Sequence, residues 1–222
     1  MDSTTLFLSL RLAAATTLVL LPLAVLLARP LAWPRFAGRG AVEALVALPL
    51  VLPPTVLGFY LLSAFGSHSP LGQGYQALTG RALVFSFDGL LLASLIVNIP
   101  FAVQPVQRAF EAIPQQAREA AWCCGLSNWA TLWRVELPLA WPGLLSAIAL
   151  TFAHTLGEFG VVLMVGGNLQ GETRTLAIAI YDRAQAFDEH GAGVMAALLL
   201  AFSFAAISSL HLVTRRIGRR DG

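Results

Sequence analysis

The sequence predicts an all-α integral membrane protein with about five spanning helices. Hydrophobic residues make up 57% of the 222 residues and charged residues only 12%, whereas roughly a quarter of the residues in soluble domains are charged. Apolar segments of about 20 residues, the length that crosses a hydrocarbon core of about 30 Å, recur along the chain. These segments leave no room for a separate soluble domain, so we expect residues 1–222 to form a single transmembrane domain.

Five apolar segments are the predicted spans. They cover approximately residues 7–28, 44–65, 83–106, 139–166 and 193–213. We interpret the first as a retained span, because residues 1–10 lack the basic segment of a signal peptide and no cleavage-like site precedes Arg29. The fourth would be about 42 Å long as one straight helix, so we expect a tilt or a break at residues 157–160. Between the last two spans, residues 175–187 have the amphipathic pattern of a short interfacial helix.

The distribution of arginine predicts which side of the membrane each connection faces. If the connection 29–43 is cytoplasmic, the inner connections hold Arg29, Arg35, Arg39, Arg108, Arg118, Arg134, Arg215, Arg216, Arg219 and Arg220, and the outer ones hold Arg81, Arg174 and Arg183. This excess of inner arginine obeys the positive-inside rule. We therefore expect the N-terminus outside, the C-terminus in the cytoplasm, and the charged stretch 114–142 on the cytoplasmic side.

The stretch 114–142 is the one long amphipathic segment between two spans. Its pattern predicts two short helices, with Gly125 as a left-handed cap of the first, Ser127 as the cap of the second and Pro138 as its end. In the second helix, one mostly aromatic face is expected to hold Trp129, Leu132, Trp133 and Glu136. Two interpretations remain open. The pair of helices could lie on lipid headgroups, or it could insert apolar anchors into a groove of a soluble partner, with Arg118 and Glu119 giving polar register.

This stretch also contains a motif of fixed spacing. Glu119-Ala120-Ala121 is followed after three residues by Gly125, and then by Val135, Leu137 and Pro138. The pattern resembles the cytoplasmic loop through which permeases of ABC importers dock onto their ATPase, although Val135 stands where Ile is more usual. The resemblance implies a coupling loop at about residues 107–138, with Glu119, Ala120, Ala121, Gly125, Leu137 and Pro138 as its coupling residues.

Two further segments extend the resemblance over nearly the whole chain. LPLVLPPTVLGFYLL at 48–62 and FAHTLGEFGVVLMVGGN at 152–168 resemble the permease subunits of molybdate ABC transporters, within the molybdate, tungstate and sulfate branch of the type I importers. Sulfate permeases usually have Arg where this chain has His154, which favours molybdate. The resemblance implies a multi-pass protein of the cytoplasmic (inner) membrane of a prokaryote, which imports molybdate by alternating access.

The partners that the resemblance implies are a second copy of the chain, two ABC ATPase subunits, and a periplasmic or lipid-anchored molybdate-binding protein. We expect no catalytic residues and no cofactor in this chain, with ATP and Mg on the partner ATPase. The sequence contains no Lys, so a nucleotide-binding P-loop, which requires one, cannot be present. We expect no metal site and no nucleic-acid binding; the adjacent Cys123 and Cys124 are interpreted as small apolar fillers.

The residues expected at the translocation path or its gate lie in spans two, three and four. By resemblance, Pro53, Pro54 and Thr55 line the path, and Asn98 is assigned the same role; the alternative for both is a purely structural kink or packing contact. Glu158 is the most costly residue to insert in a membrane, at least ~3 kcal/mol, and His154 lies one turn before it. Because a carboxylate repels a dianion, we expect a pair that closes the gate or holds a broken helix, rather than a substrate ligand.

Two other classes of function remain as alternatives. An ion-coupled secondary carrier would use His154 and Glu158 as a proton relay, but it leaves the cytoplasmic motif unexplained. A membrane scaffold without transport activity would leave the intramembrane Glu158 unexplained.

Overall fold

The fold is described from a computed structural model, which describes residues 3–33 and 36–218, with side chains as far as residue 208. The helices are α1 Ser3–Ala32, α2 Arg39–Val51, α3 Pro54–Phe65, α4 Pro70–Thr79, α5 Phe87–Glu111, α6 Gln115–Cys123, α7 Asn128–Thr131, α8 Leu137–Gly157, α9 Gly160–Gly166, α10 Leu176–Gln185 and α11 Glu189–Gly218, with a π-helical turn at Leu132–Glu136 between α7 and α8.

Within the described residues, four helical segments are long and apolar enough to cross a membrane. They are Ser3–Ala32, Phe87–Glu111, Asn128–Gly157 and Glu189–Ser208. The pair α2 and α3 forms a fifth if its two halves, bent by 109°, are counted as one broken span. The prediction of an all-helical membrane protein with about five spans is thus confirmed. The orientation stays a prediction. Arg35, Arg219 and Arg220 lie outside the described residues, as do the side chains of Arg215 and Arg216.

Helix α5 is the centre of the bundle. On one side it packs against α1 and α8, and on the other against α2 and α9. Small residues allow the close approach, as is usual between helices in membranes: Ala93, Ala102 and, on α1, Ala24 and Ala28 are fully or almost fully buried. At Gly143 on α8, an added Cβ would lie 2.7 Å from the carbonyl oxygen of Pro105. The backbones of the two helices therefore approach each other closely at this point.

The second predicted span is broken more sharply than the kink that its prolines predict. Helix α2 ends at Val51, the backbone of Leu52 is extended, and α3 begins with Pro54 in its first turn. Proline lacks the backbone N–H and clashes with the carbonyl four residues earlier, so consecutive prolines stop one helix and suit the start of the next.

The fourth predicted span is broken where its length predicted. Helix α8 ends at Gly157, Glu158 is extended, and α9 begins at Gly160. The start of this span, however, was predicted wrongly, and so was the role of Pro138 as a helix end. The helix continues from Asn128 through the π-helical turn, in which the N–H of Leu137 donates to the carbonyl of Leu132 five residues earlier. The widened turn accommodates Pro138, whose ring would clash with the preceding turn of a regular helix.

The short amphipathic helix between the last two spans is confirmed as α10. Asp182 on this helix accepts hydrogen bonds from Arg174 and Asn168 at 2.7 Å each. Asp188 joins α10 to α11. Its carboxylate accepts a hydrogen bond from the backbone N–H of Gly191 and another from Arg183, which together hold the pKa of Asp188 below its usual range.

Candidate functional site

The predicted coupling segment forms two helices at a sharp turn. Gly125 follows α6 with a φ of +80°, in the left-handed region, and a Cβ there would meet nothing within 4 Å. Backbone conformation, and not lack of space, thus selects glycine at this position. The Oγ of Ser127 accepts a hydrogen bond of 3.2 Å from the N–H of Ala130 and caps α7. Both predicted caps are confirmed.

The expected coupling residues are not all at the surface. Glu119 and Ala120 are exposed on α6, and Glu119 accepts a hydrogen bond of 2.6 Å from Gln115 in the same helix. Ala121 is buried, with 6% exposed, and packs the helix onto the rest of the chain. Leu137 is half-buried and Pro138 exposed at the start of α8. The outer face of α6 is therefore left unused by the fold of this chain.

The aromatic face predicted for the second helix is divided by the structure. Trp129 and Trp133 are 57% and 58% exposed, whereas Leu132 and Glu136 are 1% and 0% exposed. The widened π-helical turn lies between these positions and turns Glu136 towards α1. Trp129, Leu132 and Trp133 still line one groove, whereas placing Glu136 on the same face was wrong, because it contacts Arg29 and Arg118. The two cysteines at the end of α6 are both exposed, so the interpretation of them as apolar fillers was wrong as well.

Glu136 is the centre of a buried ion cluster that sequence reasoning missed. Its carboxylate lies 2.7 Å from Nε of Arg29 at the end of α1 and 2.9 Å from Nε of Arg118 on α6. Arg29 also donates to the carbonyl of Asn128, at 2.9 Å. Removing one partner of such a buried pair costs about 3–5 kcal/mol. The sequence contained one signal for this cluster, an acid between the apolar Val135 and Leu137. A helix against a membrane would not have an unpaired charge at such a position, so a partner was to be expected.

Three of the expected gate residues line a cavity of about 200 Å³ between the helices. The cavity is lined by side chains of α2, α3, α5, α8 and α9, together with Glu158: Pro49, Leu50, Leu52, Pro54, Leu57, Val97, Phe101, His154, Glu158 and Val161. The break between α2 and α3 lies against the break between α8 and α9. At Gly160 an added Cβ would lie 2.8 Å from Cβ of Pro54.

Polar contacts connect three of the expected residues across this cavity. Nδ1 of His154 lies 3.1 Å from Oδ1 of Asn98, whose amide nitrogen donates to the carbonyl of Ser94 at 2.8 Å. The amide therefore presents its oxygen, so Nδ1 carries the proton of this bond. Nε2 then faces Glu158 at 3.8 Å. The second oxygen of Glu158 accepts a hydrogen bond of 3.1 Å from the N–H of Val161, so it also satisfies an orphan donor at the start of α9.

The structure brings some of the expected gate residues together and not others. Pro54, His154 and Glu158 line the cavity, whereas Asn98 is fully buried behind it. Pro53 and Thr55 are exposed at the turn between α2 and α3. Phe101 was missed: its ring stacks on His154 with centroids 3.9 Å apart. An aromatic residue three positions after Asn98 on the same face was the signal available for it.

Comparison with known proteins places this arrangement in a family. The family of binding-protein-dependent transport system inner membrane components matches residues 20–220. The chain belongs to this family, and is thus the membrane component of an importer whose ATPase is a different chain.

Its relatives narrow the class further. The chain is 48% identical to the molybdenum transport system permease protein ModB of Azotobacter vinelandii, over 92% of this chain and 90% of that protein. It is 36% identical to ModB of Haemophilus influenzae, over 83% and 81% of the two chains. The sulfate transport system permease protein CysT of Escherichia coli is 34% identical over 84% of this chain and 67% of that protein.

Solved structures share the fold at low sequence identity. A bacterial ABC transporter that imports the acidic polysaccharide alginate superposes with a TM-score of 0.78 at 16% identity, over 96% of this chain and 79% of that chain. The methionine ABC transporter MetNI, in an inward-facing conformation, gives a TM-score of 0.68 at 19% identity, over 96% and 93% of the two chains. These likenesses concern the fold alone.

Proposed function

We propose that this chain is the permease subunit of a molybdate importer, and that two copies form the path between them. The assignment of molybdate as the substrate rests on the 48% identity with ModB of Azotobacter vinelandii over almost the whole chain. The proposed partners are two ATPase subunits on the cytoplasmic side and a molybdate-binding protein outside. In this arrangement the N-terminus is outside and α6 and α7 face the cytoplasm, as the arginine distribution predicts.

The contact with the second copy is assigned to α2 and α3. Large apolar side chains project from this bent pair, with Val51 79%, Phe59 56% and Tyr60 62% exposed. The same turn exposes Pro53 and Thr55 beside the cavity. Two such cavities facing each other would form one path, with the paired breaks of each copy at its narrowest level. This contact supports the expected role of Pro53, Pro54 and Thr55.

Coupling is assigned to the face of α6 that the chain leaves open, from Glu119 and Ala120 to the turn at Gly125. An exposed helix with one unused face is suited to a groove on a partner. When ATP closes the ATPase pair, the seated helix moves with it. The cluster of Arg29, Arg118 and Glu136 carries this movement to α1 and α8, and the spans then open outwards to accept substrate.

The coupling role is tested at Gly125. Valine there has to adopt a left-handed backbone, at a cost of roughly 1–2 kcal/mol, while asparagine tolerates that conformation. We expect Gly125→Val and Glu119→Lys to insert normally but to lose most transport and to hydrolyse ATP without it, whereas Gly125→Asn keeps tight coupling. ATPase and uptake rates are measured together in proteoliposomes. If both Gly125→Val and Glu119→Lys transported with tight coupling, the coupling role of this segment would be rejected.

The gate is assigned to the group of Asn98, His154 and Glu158. His154 faces Glu158 at 3.8 Å across the end of α8, and its hydrogen bond with Asn98 fastens α8 to α5. A cavity next to this group gives the side chains room to rearrange. We do not assign substrate binding to Glu158, because its negative charge repels an oxyanion.

Two substitutions at Glu158 separate gating from helix capping. Glutamine keeps an oxygen for the N–H of Val161 but has no charge for His154, whereas alanine loses both. We expect Glu158→Gln to assemble with the ATPase and to leak or transport abnormally, and Glu158→Ala in addition to lose stability by about 1 kcal/mol. Wild-type transport without leak in Glu158→Gln would end the gating role.

The transport function itself is tested by reconstitution with the ATPase and the binding protein. We expect ATP-dependent uptake of molybdate, and stronger stimulation of ATP hydrolysis by the molybdate-loaded binding protein than by the sulfate-loaded one. A sulfate permease is the second candidate, favoured by the 34% identity with CysT of Escherichia coli, and the opposite order would select it. Uptake driven by a proton gradient without any ATPase would instead identify a secondary carrier.

A further inference from the structure

Two hollows follow each other along the last third of α1. The first, which we call the apolar groove, has a volume of about 330 Å³. It is lined only by apolar and tryptophan side chains of α1 and of the continuous helix 128–157, among them Pro22, Leu26, Trp129 and Leu144. The second, which we call the arginine pocket, has a volume of about 480 Å³ and is lined by Arg29, Pro30, Trp33, Arg118, Trp122 and Asn128. We propose that together they bind one anionic phospholipid.

The two hollows are in line. At about 100° per residue, Pro22, Leu26 and Arg29 fall on one face of α1, and Trp33 directly follows its last residue. The opposite wall is continuous as well, since Asn128 of the arginine pocket is followed by Trp129 of the apolar groove. From Pro22 to Trp33 the face is about 16 Å long. A ligand that fits it has an apolar tail at one end and a polar head at the other.

The charge of the arginine pocket selects an anionic head. Arg29 and Arg118 share one carboxylate, that of Glu136, which leaves one positive charge. Arg118 spends its Nε on Glu136, and its two terminal nitrogens have no hydrogen-bond acceptor among the described residues. The indole nitrogen of Trp33 is buried and likewise has no partner within the part of the chain that the structure describes. Donors without acceptors around a net positive charge are what a phosphate satisfies.

The aromatic walls hold these donors in position. The guanidinium of Arg118 lies 4.1 Å from the ring centroid of Trp33 and 5.1 Å from that of Trp122, and such stacking orients arginine at a fixed angle. A free guanidinium would instead reorient towards water. The pocket is therefore preformed, and little side-chain order remains to be gained when a headgroup enters.

The position of the apolar groove indicates lipid as the source of the phosphate. Its walls are spanning helices, and Trp129 and Trp133, both more than half exposed, mark the interface where tryptophan prefers to lie. Basic pockets between spanning helices are suited to anionic headgroups. None of the residues that line the groove belongs to α2 or α3, whose main contacts are with α5 and α9. The lipid site is thus separate from the cavity of the proposed path.

This site adds a regulatory element to the buried ion cluster of Arg29, Arg118 and Glu136. Arg118 and Trp122 belong to α6, and Arg29, Pro30 and Trp33 to the end of α1. A phosphate in the arginine pocket therefore connects the two helices through both arginines. Anionic lipid should hold α6 against α1, independently of which substrate is transported.

The test uses the assembled complex of the permease with its ATPase. The complex is placed in nanodiscs of phosphatidylcholine alone or of phosphatidylcholine mixed with phosphatidylglycerol. After transfer to detergent, native mass spectrometry counts the lipid molecules that the complex retains. For one net positive charge at the membrane surface we expect phosphatidylglycerol to be retained about fivefold over phosphatidylcholine. Leu26→Trp fills the groove without touching Glu136 and should abolish this retention, as should Arg29→Gln.

Arg108→Gln is the matched control, because Arg108 is a strongly exposed arginine at the end of α5, away from both hollows; it should retain the lipid as the wild type does. Three outcomes would overturn the proposal: equal retention of the two lipids, retention unchanged by Leu26→Trp, or displacement of the lipid by inorganic phosphate alone. A lipid that is present on the permease but lost when the ATPase binds would assign the arginine pocket to the ATPase contact instead.

Discussion

The buried ion cluster of Arg29, Arg118 and Glu136 and the cavity beside Glu158 are built in opposite ways, although each depends on one buried glutamate. Glu136 is 0% exposed and lies 2.7 Å and 2.9 Å from two arginines on different helices. Glu158 is 8% exposed, the nearest basic side chain is that of a histidine at 3.8 Å, and it lies beside a cavity of about 200 Å³. The first region is fastened in one arrangement, and the second has weak contacts and free volume. The proposed transport mechanism uses both, since it transmits movement through the first region and absorbs it in the second.

The largest expected effect is at Glu136. Glu136→Gln keeps the shape of the side chain but leaves two arginines without a buried counter-charge, so we expect a loss of about 3–5 kcal/mol. The change should appear as a clear fall in Tm in detergent and as separation of α6 from α1. Glu119→Gln is the matched control, because Glu119 is exposed and bonds Gln115 in its own helix. If Glu136→Gln unfolded at the wild-type temperature, as we expect of Glu119→Gln, the ion cluster would not be what holds this region in one arrangement.

An intermediate effect is expected where the two helix breaks meet. Gly160→Ala places a methyl group 2.8 Å from Pro54, whereas Gly157→Ala meets nothing within 4 Å. Overpacking typically costs about 1–3 kcal/mol, and here it should separate α3 from α9 and raise leak through the gate. Ion or solute leak in proteoliposomes distinguishes the two variants. Equal leak from both would show that the contact between the breaks does not close the path.

The smallest expected effect is at Ser127. Ser127→Ala removes the hydroxyl that caps α7 and should cost about 1 kcal/mol while leaving the ion cluster in place. Hydrogen exchange at the first turn of α7 measures the fraying, and the exposed Ser67 changed to Ala serves as control. If Ser127→Ala destabilised the chain as much as Glu136→Gln does, local capping, and not the ion cluster, would account for the rigidity of this region.

The features that the sequence predicts well are those that one segment determines alone. Apolar length predicts the spans, the excess length of the fourth predicts its break at Glu158, and Gly125 and Ser127 are recognisable caps. The features it does not predict depend on distant segments. Glu136 pairs with Arg29, 107 residues earlier, and no periodicity connects the two. The π-helical turn before Pro138 also depends on distant segments. A wider turn and a helix end both remove the clash of a proline, and only packing against α1 distinguishes the two.

For the gate residues, the sequence indicated the right neighbourhood but not the contacts. An acid and a histidine one turn apart in an apolar segment predict a pair, and the structure places them within 3.8 Å. Their environment comes from elsewhere: Asn98 and Phe101 on α5 and Pro54 on α3 reach the same place only through the bundle. The expected role of these residues in gating stays a prediction.

The π-helical turn has one more consequence. Because the helix does not end at Pro138, residues 128–157 form a single rod about 45 Å long. A tilt of about 5° at its Asn128 end, the size of a small adjustment in a protein groove, displaces its far end by about 4 Å. That far end is attached to Glu158. Glu136 within the turn is held by Arg29 and Arg118, so in the proposed mechanism a push on α6 moves the whole rod and reaches Glu158 as motion.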